Sequence, residues 1–390
     1  MPAANQVVIA GGGVAGIRTA QGLRDLGYSG DITIFSEELE TPYHRPDLSK
    51  AFLSSSEESE VAPLLTSSTY EALSLELELG RRAAGLDVGS RSLVLDDGET
   101  MPYDAVVIAT GGSPRTLGEL EGFKNVFTLR SVDDARRIAL QIRPGSTIGV
   151  IGGGFIGLEV ASAAVSQGCR AVVIEAGTAP LSAAVGIDIA RIIQSWHEAK
   201  GVDFRVSSTV DHGVGTTEHI TGLALSGGEV IPVDAVVVGI GVAPGIEWLR
   251  DSKLHLDRGV VCDDVGRTSE RWVYAVGDVA QRHYGRVVAP TGHWTSAAEQ
   301  GRRTAAAMMG RTPPVPRADT YFWSDQHGLK LQCVGRFPSV GQIVIEVGDP
   351  AKESFVACCR SKGELTGVFA LNAPIEFTRF RLELQRAGIC

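Results

Sequence analysis

Two glycine loops of one design, each set between an apolar strand-like run and a helical run, constrain this chain more than any other feature. The first, Gly11-Gly-Gly13-Val-Ala-Gly16, follows an apolar run over 7–10. It opens a segment in which Val14, Ile17, Leu23 and Leu26 recur at helical intervals and Gly27 marks the end. The second, Gly152-Gly-Gly154-Phe-Ile-Gly157, follows a strand over 147–151, opens a helix over 155–167 and stops at Gly168. In such a loop one glycine makes the tight turn, one lets the backbone approach a pyrophosphate, and one lets helix and strand pack closely. The helix N-terminus then presents unpaired N–H groups to the phosphates. A strand follows each copy, over 32–35 and 171–174, and a carboxylate suited to ribose hydroxyls closes each unit: Glu37 and Glu175. One loop alone is a weak signal. Two complete copies, 141 residues apart (from 11 to 152), predict two dinucleotide sites. Glu175 further predicts NADH over NADPH, since its charge repels a 2′-phosphate by ~1–4 kcal/mol. Neither Ala176 nor Gly177 supplies an arginine to hold that phosphate.

The wider pattern alternates strands with helices, which predicts an α/β fold. Two more strands, over 105–110 and 235–239, end in small-residue turns where the chain can pass between domains. Pro313, Pro314 and Pro316 follow a helix containing Ala305, Ala306 and Ala307 and read as a linker. Beyond Tyr321 come strands over 342–347, 355–358 and 367–371 and a closing helix over 375–385. A length of 390 residues accommodates three domains. The expected division is 1–114 with 248–320, then 115–247, then 321–390.

Composition excludes several classes. A formal net charge of −10 argues against a nucleic-acid partner. No apolar run reaches the ~18 residues of a membrane span, and no basic leader precedes the first loop, so a cytoplasmic protein is expected. Six cysteines form no C-x-x-C pair and no zinc-ligand spacing, which points to reduced thiols and no metal site. Adjacent Cys358 and Cys359 read as buried small residues. The eight histidines are isolated along the chain and read as structural.

Several further segments carry a family resemblance. Tyr43-His-Arg45-Pro-Asp-Leu-Ser49-Lys50, Ala109-Thr-Gly111, Leu129-Arg130-Ser-Val-Asp133, Val273-Tyr-Ala-Val-Gly277-Asp278 and Tyr321-Phe-Trp323-Ser-Asp325-Gln326 stand in the order seen in FAD-dependent NADH:ferredoxin reductases. The resemblance is to the putidaredoxin reductase and biphenyl dioxygenase reductase type, which serves bacterial Rieske oxygenases and haem-thiolate monooxygenases. It implies a glutathione reductase-like architecture, two Rossmann-like domains plus a C-terminal α+β domain. It also implies hydride transfer from NADH to FAD, followed by single-electron transfer to a [2Fe-2S] ferredoxin, by a monomer or homodimer.

By that resemblance FAD would meet Gly11, Gly13, Ala15, Gly16, Glu37, Arg45, Lys50, Thr110, Gly111, Arg130, Gly277, Asp278 and Trp294. NAD would meet Gly152, Gly154, Phe155, Ile156, Gly157, Glu159, Glu175 and Gly241. Lys50 would support the reduced flavin, and Glu159 would meet this lysine and orient the nicotinamide amide. Trp323 would face the docked ferredoxin, with Arg302 and Arg303 among a basic group that also includes Arg311, Arg317, Lys330 and Arg336. No cysteine precedes Cys169, so the thiol relay of related disulfide reductases is absent at its usual place. Two departures stand out. Leu181-Ser-Ala183-Ala184 replaces an arginine that relatives use for the NAD diphosphate, so weaker NADH binding or a substitute arginine is expected. His327 replaces a common aromatic, so the flavin-edge or docking surface is expected to differ. Rubredoxin reductase, or a redox-gated sensor resembling apoptosis-inducing factor, are the competing readings.

Overall fold

The computed structural model describes residues 5–55, 60–284, 287–288, 292–313, 321–338 and 341–386. They fall into two compact units, one built from 1–44, 62–113 and 242–316, the other from 45–61, 114–241 and 317–390.

In the first unit five parallel strands lie in the order Val273–Ala275, Ala105–Ile108, Gln6–Ala10, Asp31–Ser36, Glu76–Leu79. The central strands are buried on both faces, which is why they read as continuous apolar runs rather than alternating ones. The Val14–Asp25 helix packs on the Trp294–Met308 helix through small residues. A Cβ added at Gly22 would lie 2.9 Å from the Ala305 Cβ, and one at Gly301 would lie 2.6 Å from the Ala15 carbonyl oxygen. An approach that close, to a side-chain Cβ at Gly22 and to backbone at Gly301, calls for glycine at both positions.

The second unit repeats this plan. Its parallel sheet runs Val202–Val206, Arg170–Glu175, Thr147–Ile151, Ala235–Val238, Val126–Thr128. Each sheet is accompanied by a small antiparallel meander, Ala83–Asp87 with Ser92–Leu95 and Thr100–Pro102 in the first unit, and Val210–Gly215 with Ile220–Leu225 and Val230–Pro232 in the second. The sequence reading found neither meander: the strands are short and most of them are half-exposed, so no long apolar period announces them.

The second unit also holds a five-stranded antiparallel sheet, ordered Phe322–Gln326, Leu329–Gly335, Glu364–Leu371, Ser354–Ser361, Gln342–Asp349. Helix Pro374–Arg386 covers it with Phe377, Phe380 and Leu384. Cys358 and Cys359 are fully buried there, as expected. Burial pushes the thiols of Cys262 and Cys358 up to about 12. Pro314, Pro316 and Arg317 lie outside the described residues. Among those described, no helix is long and apolar enough to cross a membrane.

Candidate functional site

Both glycine loops have the backbone that a dinucleotide cradle demands. In the first, Gly11 has φ +120° and a Cβ there would strike the Ala109 carbonyl oxygen at 2.3 Å. A Cβ on Gly16 would stand 2.2 Å from the Gly11 oxygen, whereas one on Gly13 would meet nothing within 4 Å. Helix Val14–Asp25 begins at Gly13 without a side-chain cap. Its first N–H groups are therefore not taken up by a capping side chain, as an anion site needs. The second loop matches it: Gly152 has φ +102°, a Cβ on Gly157 would stand 2.1 Å from the Gly152 oxygen, and Gly154 starts the Phe155–Ser166 helix uncapped.

The remaining residues singled out in the first unit cluster at the ends of its strands. Thr110 and Gly111 follow the Ala105–Ile108 strand, and Thr110 Oγ1 donates to the Gly245 carbonyl at 3.4 Å. Gly277, at φ +75°, follows the Val273–Ala275 strand, and its N–H donates to Gln300 Oε1 at 2.9 Å. A Cβ there would lie 3.0 Å from the Ala15 Cβ, so Ala15 and Gly277 close the loop's flank together. Asp278 follows in the same turn. Trp294 opens its helix with its ring 4.8 Å from His44. Glu37 lies exposed, one residue past the Asp31–Ser36 strand.

In the second unit Glu175 closes the Arg170–Glu175 strand and is fastened on both oxygens. Oε2 accepts from the Gly153 N–H at 2.7 Å and Oε1 from the Gly177 N–H at 2.6 Å. The carboxylate is thereby locked against the glycine loop. Gly241, at φ +102°, accepts from the Arg115 N–H at 2.9 Å. Phe155 sits edge-on to Phe322, ring centroids 4.5 Å apart, while Ile156 is exposed. Ser182–Val185 form a short helix where the arginine is missing.

Lys50 and Glu159 meet within this unit. Lys50 lies in a π-helical turn, Leu48–Phe52, a wide turn often found at functional sites. Its Nζ stands 2.8 Å from Glu159 Oε1 and donates to the Pro46 carbonyl at 3.1 Å. Glu159 is 3% exposed. Ser49 donates to Glu159 Oε2 and Ser324 to Oε1, so three donors converge on one buried carboxylate. Arg45 Nη1 donates to the Arg130 carbonyl at 2.6 Å, and Asp134 Oδ2 accepts from the Arg130 N–H at the capped start of the Val132–Ala139 helix.

Sequence reasoning missed Ser49 and Ser324, and the signal was available. Helix Phe155–Ser166 is buried on nearly every side, and Phe155, Glu159 and Ser162 share one face. Buried polar residues on such a helix need partners. Phe322, Ser324 and Gln326 share one face of a strand, and Phe322 and Ser324 meet that stripe at Phe155 and Glu159. His197 and His327, isolated in sequence, are neighbours, with His327 Nε2 3.0 Å from His197 Nδ1.

One expectation is corrected. Arg303 is 3% exposed and turned inward, donating to Asp264 Oδ2 at 3.0 Å, so it is not a surface charge for a partner. The helix carries Arg302 on its exposed face and Arg303 on its packed one. Arg311, Lys330 and Arg336 are exposed. Trp323 is half-buried and stacks on Tyr321 at 6.2 Å.

Comparison with known proteins agrees with this geometry. Residues 5–301 match the model of the pyridine nucleotide-disulphide oxidoreductases, and 321–388 match a reductase C-terminal domain. The chain is 35% identical to a rubredoxin–NAD(+) reductase of Pseudomonas putida, over 94% of this chain and 96% of that one. It is 37% identical to the ferredoxin–NAD(+) reductase component of a p-cumate 2,3-dioxygenase system of the same species, over 85% and 81%. The reductase in a covalent putidaredoxin reductase–putidaredoxin complex superposes with a TM-score of 0.91 at 30% identity, over 96% and 91%. A glycine cradle in each unit, a buried lysine–glutamate pair and these matches together make the chain a member of the pyridine nucleotide-disulphide oxidoreductase family, an oxidoreductase that uses FAD and NAD(H).

Proposed function

We propose that this protein accepts a hydride from NADH and passes electrons singly to a [2Fe-2S] ferredoxin that supplies an oxygenase. The buried Lys50–Glu159 pair carries the reading, because it unites the Arg45-Pro-Asp-Leu-Ser49-Lys50 segment with the helix of the second glycine loop. FAD, when bound, supplies the conversion from paired to single electrons, and the protein supplies position and charge. The Gly11–Gly16 cradle, with Ala15, Glu37, Thr110, Gly111, Gly277, Asp278 and Trp294, holds FAD in this reading, and the family resemblance names Arg45, Lys50 and Arg130 as further FAD contacts. Gly152, Gly154, Phe155, Ile156, Gly157, Glu175 and Gly241 hold NADH. Glu159 orients the nicotinamide amide, and Lys50 places a cation where negative charge accumulates. Trp323 and Arg302 serve ferredoxin docking in this reading. The three-domain division and a cytoplasmic location belong to the same proposal.

The experiment is steady-state turnover of the yellow protein with NADH, a [2Fe-2S] ferredoxin and cytochrome c. Rapid cytochrome reduction that requires the ferredoxin is expected. A long-lived reduced protein with negligible turnover contradicts it. The relationship to a rubredoxin reductase supports a second reading, in which the acceptor is a rubredoxin. Competition between the two acceptors in one assay separates them.

A further inference from the structure

The three donors on Glu159 are only the near end of a longer arrangement. Ser324 Oγ, which donates to Glu159 Oε1, accepts from Gln326 Nε2 at 2.8 Å. Gln326 Oε1 lies 2.7 Å from His197 Nε2, and His197 Nδ1 lies 3.0 Å from His327 Nε2. Glu159, Ser324, Gln326 and His197 are all 3% exposed or less. The elements concerned are the Phe155–Ser166 helix, the Ile187–Ala199 helix and the hairpin Phe322–Gly335.

Elementary donor–acceptor rules fix the direction of every link. A carboxylate only accepts, so the serine hydroxyl donates to it and has a lone pair left for the amide N–H. The amide oxygen only accepts, so the proton of neutral His197 sits on Nε2. Its Nδ1 must then accept, which puts the proton of His327 on Nε2 as well. Burial pushes the His197 imidazole down to about 3 and His327 to about 4, so both are neutral at pH 7. The charged groups facing the pair are Lys200 and Glu353, which form their own ion pair at 2.7 Å. Every hydrogen bond from His327 to Glu159 thus points the same way. The Gln326 amide interrupts any proton hopping, so the arrangement orients rather than conducts.

The hairpin fixes the far end. His327 and Gly328 have φ +49° and +75°, the pair of positive values a two-residue turn needs. The His327 N–H donates to Ser162 Oγ at 2.6 Å, one helical repeat along from Glu159. The same helix face is therefore gripped by the strand at two points.

We propose that Ser324, backed in series by Gln326, His197 and His327, is a positioning residue for hydride transfer that pins the Glu159 carboxylate to Lys50. This rests on the reductase reading above. The test uses the FAD-loaded protein. Under anaerobic rapid mixing with NADH, Ser324→Ala slows flavin bleaching roughly tenfold, the scale of one hydrogen bond to a charged group. It leaves the Kd of a non-reducible NADH analogue within about twofold, and Ser324→Thr restores most of the rate. Nitrogen-15 spectra of histidine-labelled wild type, which need no variant, place the proton on Nε2 of both His197 and His327. A Ser324→Ala protein that bleaches at the wild-type rate, or a His197 protonated on Nδ1, overturns the positioning role alone. Wild-type flavin that NADH does not bleach overturns the reductase reading and this proposal with it.

Discussion

The two glycine-loop units differ where their local sequences look most alike. Each has strand, loop, uncapped helix, second strand and acid in the same order, and each loop closes on the carbonyl of its first glycine. In the first unit the acid, Glu37, stands exposed, and the loop helix spends its packed face on a second helix through Gly22 and Gly301. In the second the acid, Glu175, is bonded to the loop itself, and the helix uses its packed face to carry Glu159. A dinucleotide cradle is thus a local device, while chemistry is added to it by residues delivered from distant segments.

The largest effect should come from filling a cradle. Gly16→Val, whose Cβ would collide with the Gly11 oxygen, is expected to yield a colourless protein. Gly157→Val should stay yellow but no longer bleach with NADH. Visible absorbance during an NADH titration reads both, and identical behaviour of the two variants would erase the distinction between the units.

Next comes Glu159→Gln. It leaves the Lys50 ammonium, 12% exposed, without its carboxylate. Breaking such a pair costs ~3 kcal/mol or more, which urea denaturation would register as an earlier midpoint; an unmoved midpoint would show the pair to be idle in folding.

Glu175→Gln removes charge while keeping an acceptor oxygen for the glycine loop. The ratio of kcat/KM for NADH over NADPH should fall about fivefold or more, from the ~1 kcal/mol lower bound on repulsion. An unchanged ratio would mean that the carboxylate only braces the loop.

On the Trp294–Met308 helix, the exposed Arg302 and the buried Arg303 should part company. Arg302→Glu is expected to slow ferredoxin reduction several-fold at low salt and to spare ferricyanide reduction. Arg303→Glu should lower the melting temperature instead. Equal loss of both activities in Arg302→Glu would count against docking.

The last effect is acid sensitivity of the second unit. Unfolded histidine binds a proton near pH 6.5, whereas folded His327 and His197 hold out to about 4 and about 3. The unfolded state therefore binds more protons in that window, and stability is full above pH 6.5 and falls as pH drops through it. His327→Phe should flatten that part of the melting-temperature profile; an unaltered profile would remove His327 from the account.

Much of this architecture was legible in advance because its signals are local. The two loops, the strands over 147–151 and 171–174 and the Pro374–Arg386 helix follow from glycine placement and apolar period. The meanders were not legible, since short strands, most of them half-exposed, leave no strong period. Arg303 was misplaced because a pair of arginines on a helix does not say which one faces inward. Ser49 and Ser324 were passed over although they adjoin Lys50 and Trp323. Their role depends on a carboxylate 110 residues from one and 165 from the other: the apolar helix around Glu159 signals that it needs partners, and only tertiary structure says which they are.

The most direct measurement of the central claim is an anaerobic titration of the FAD-loaded protein with NADH, followed by oxidised [2Fe-2S] ferredoxin. The account predicts full bleaching at one NADH per flavin and return of the yellow colour after two ferredoxins. Flavin that keeps its colour under NADH, or that bleaches but gives nothing to the ferredoxin, would contradict it.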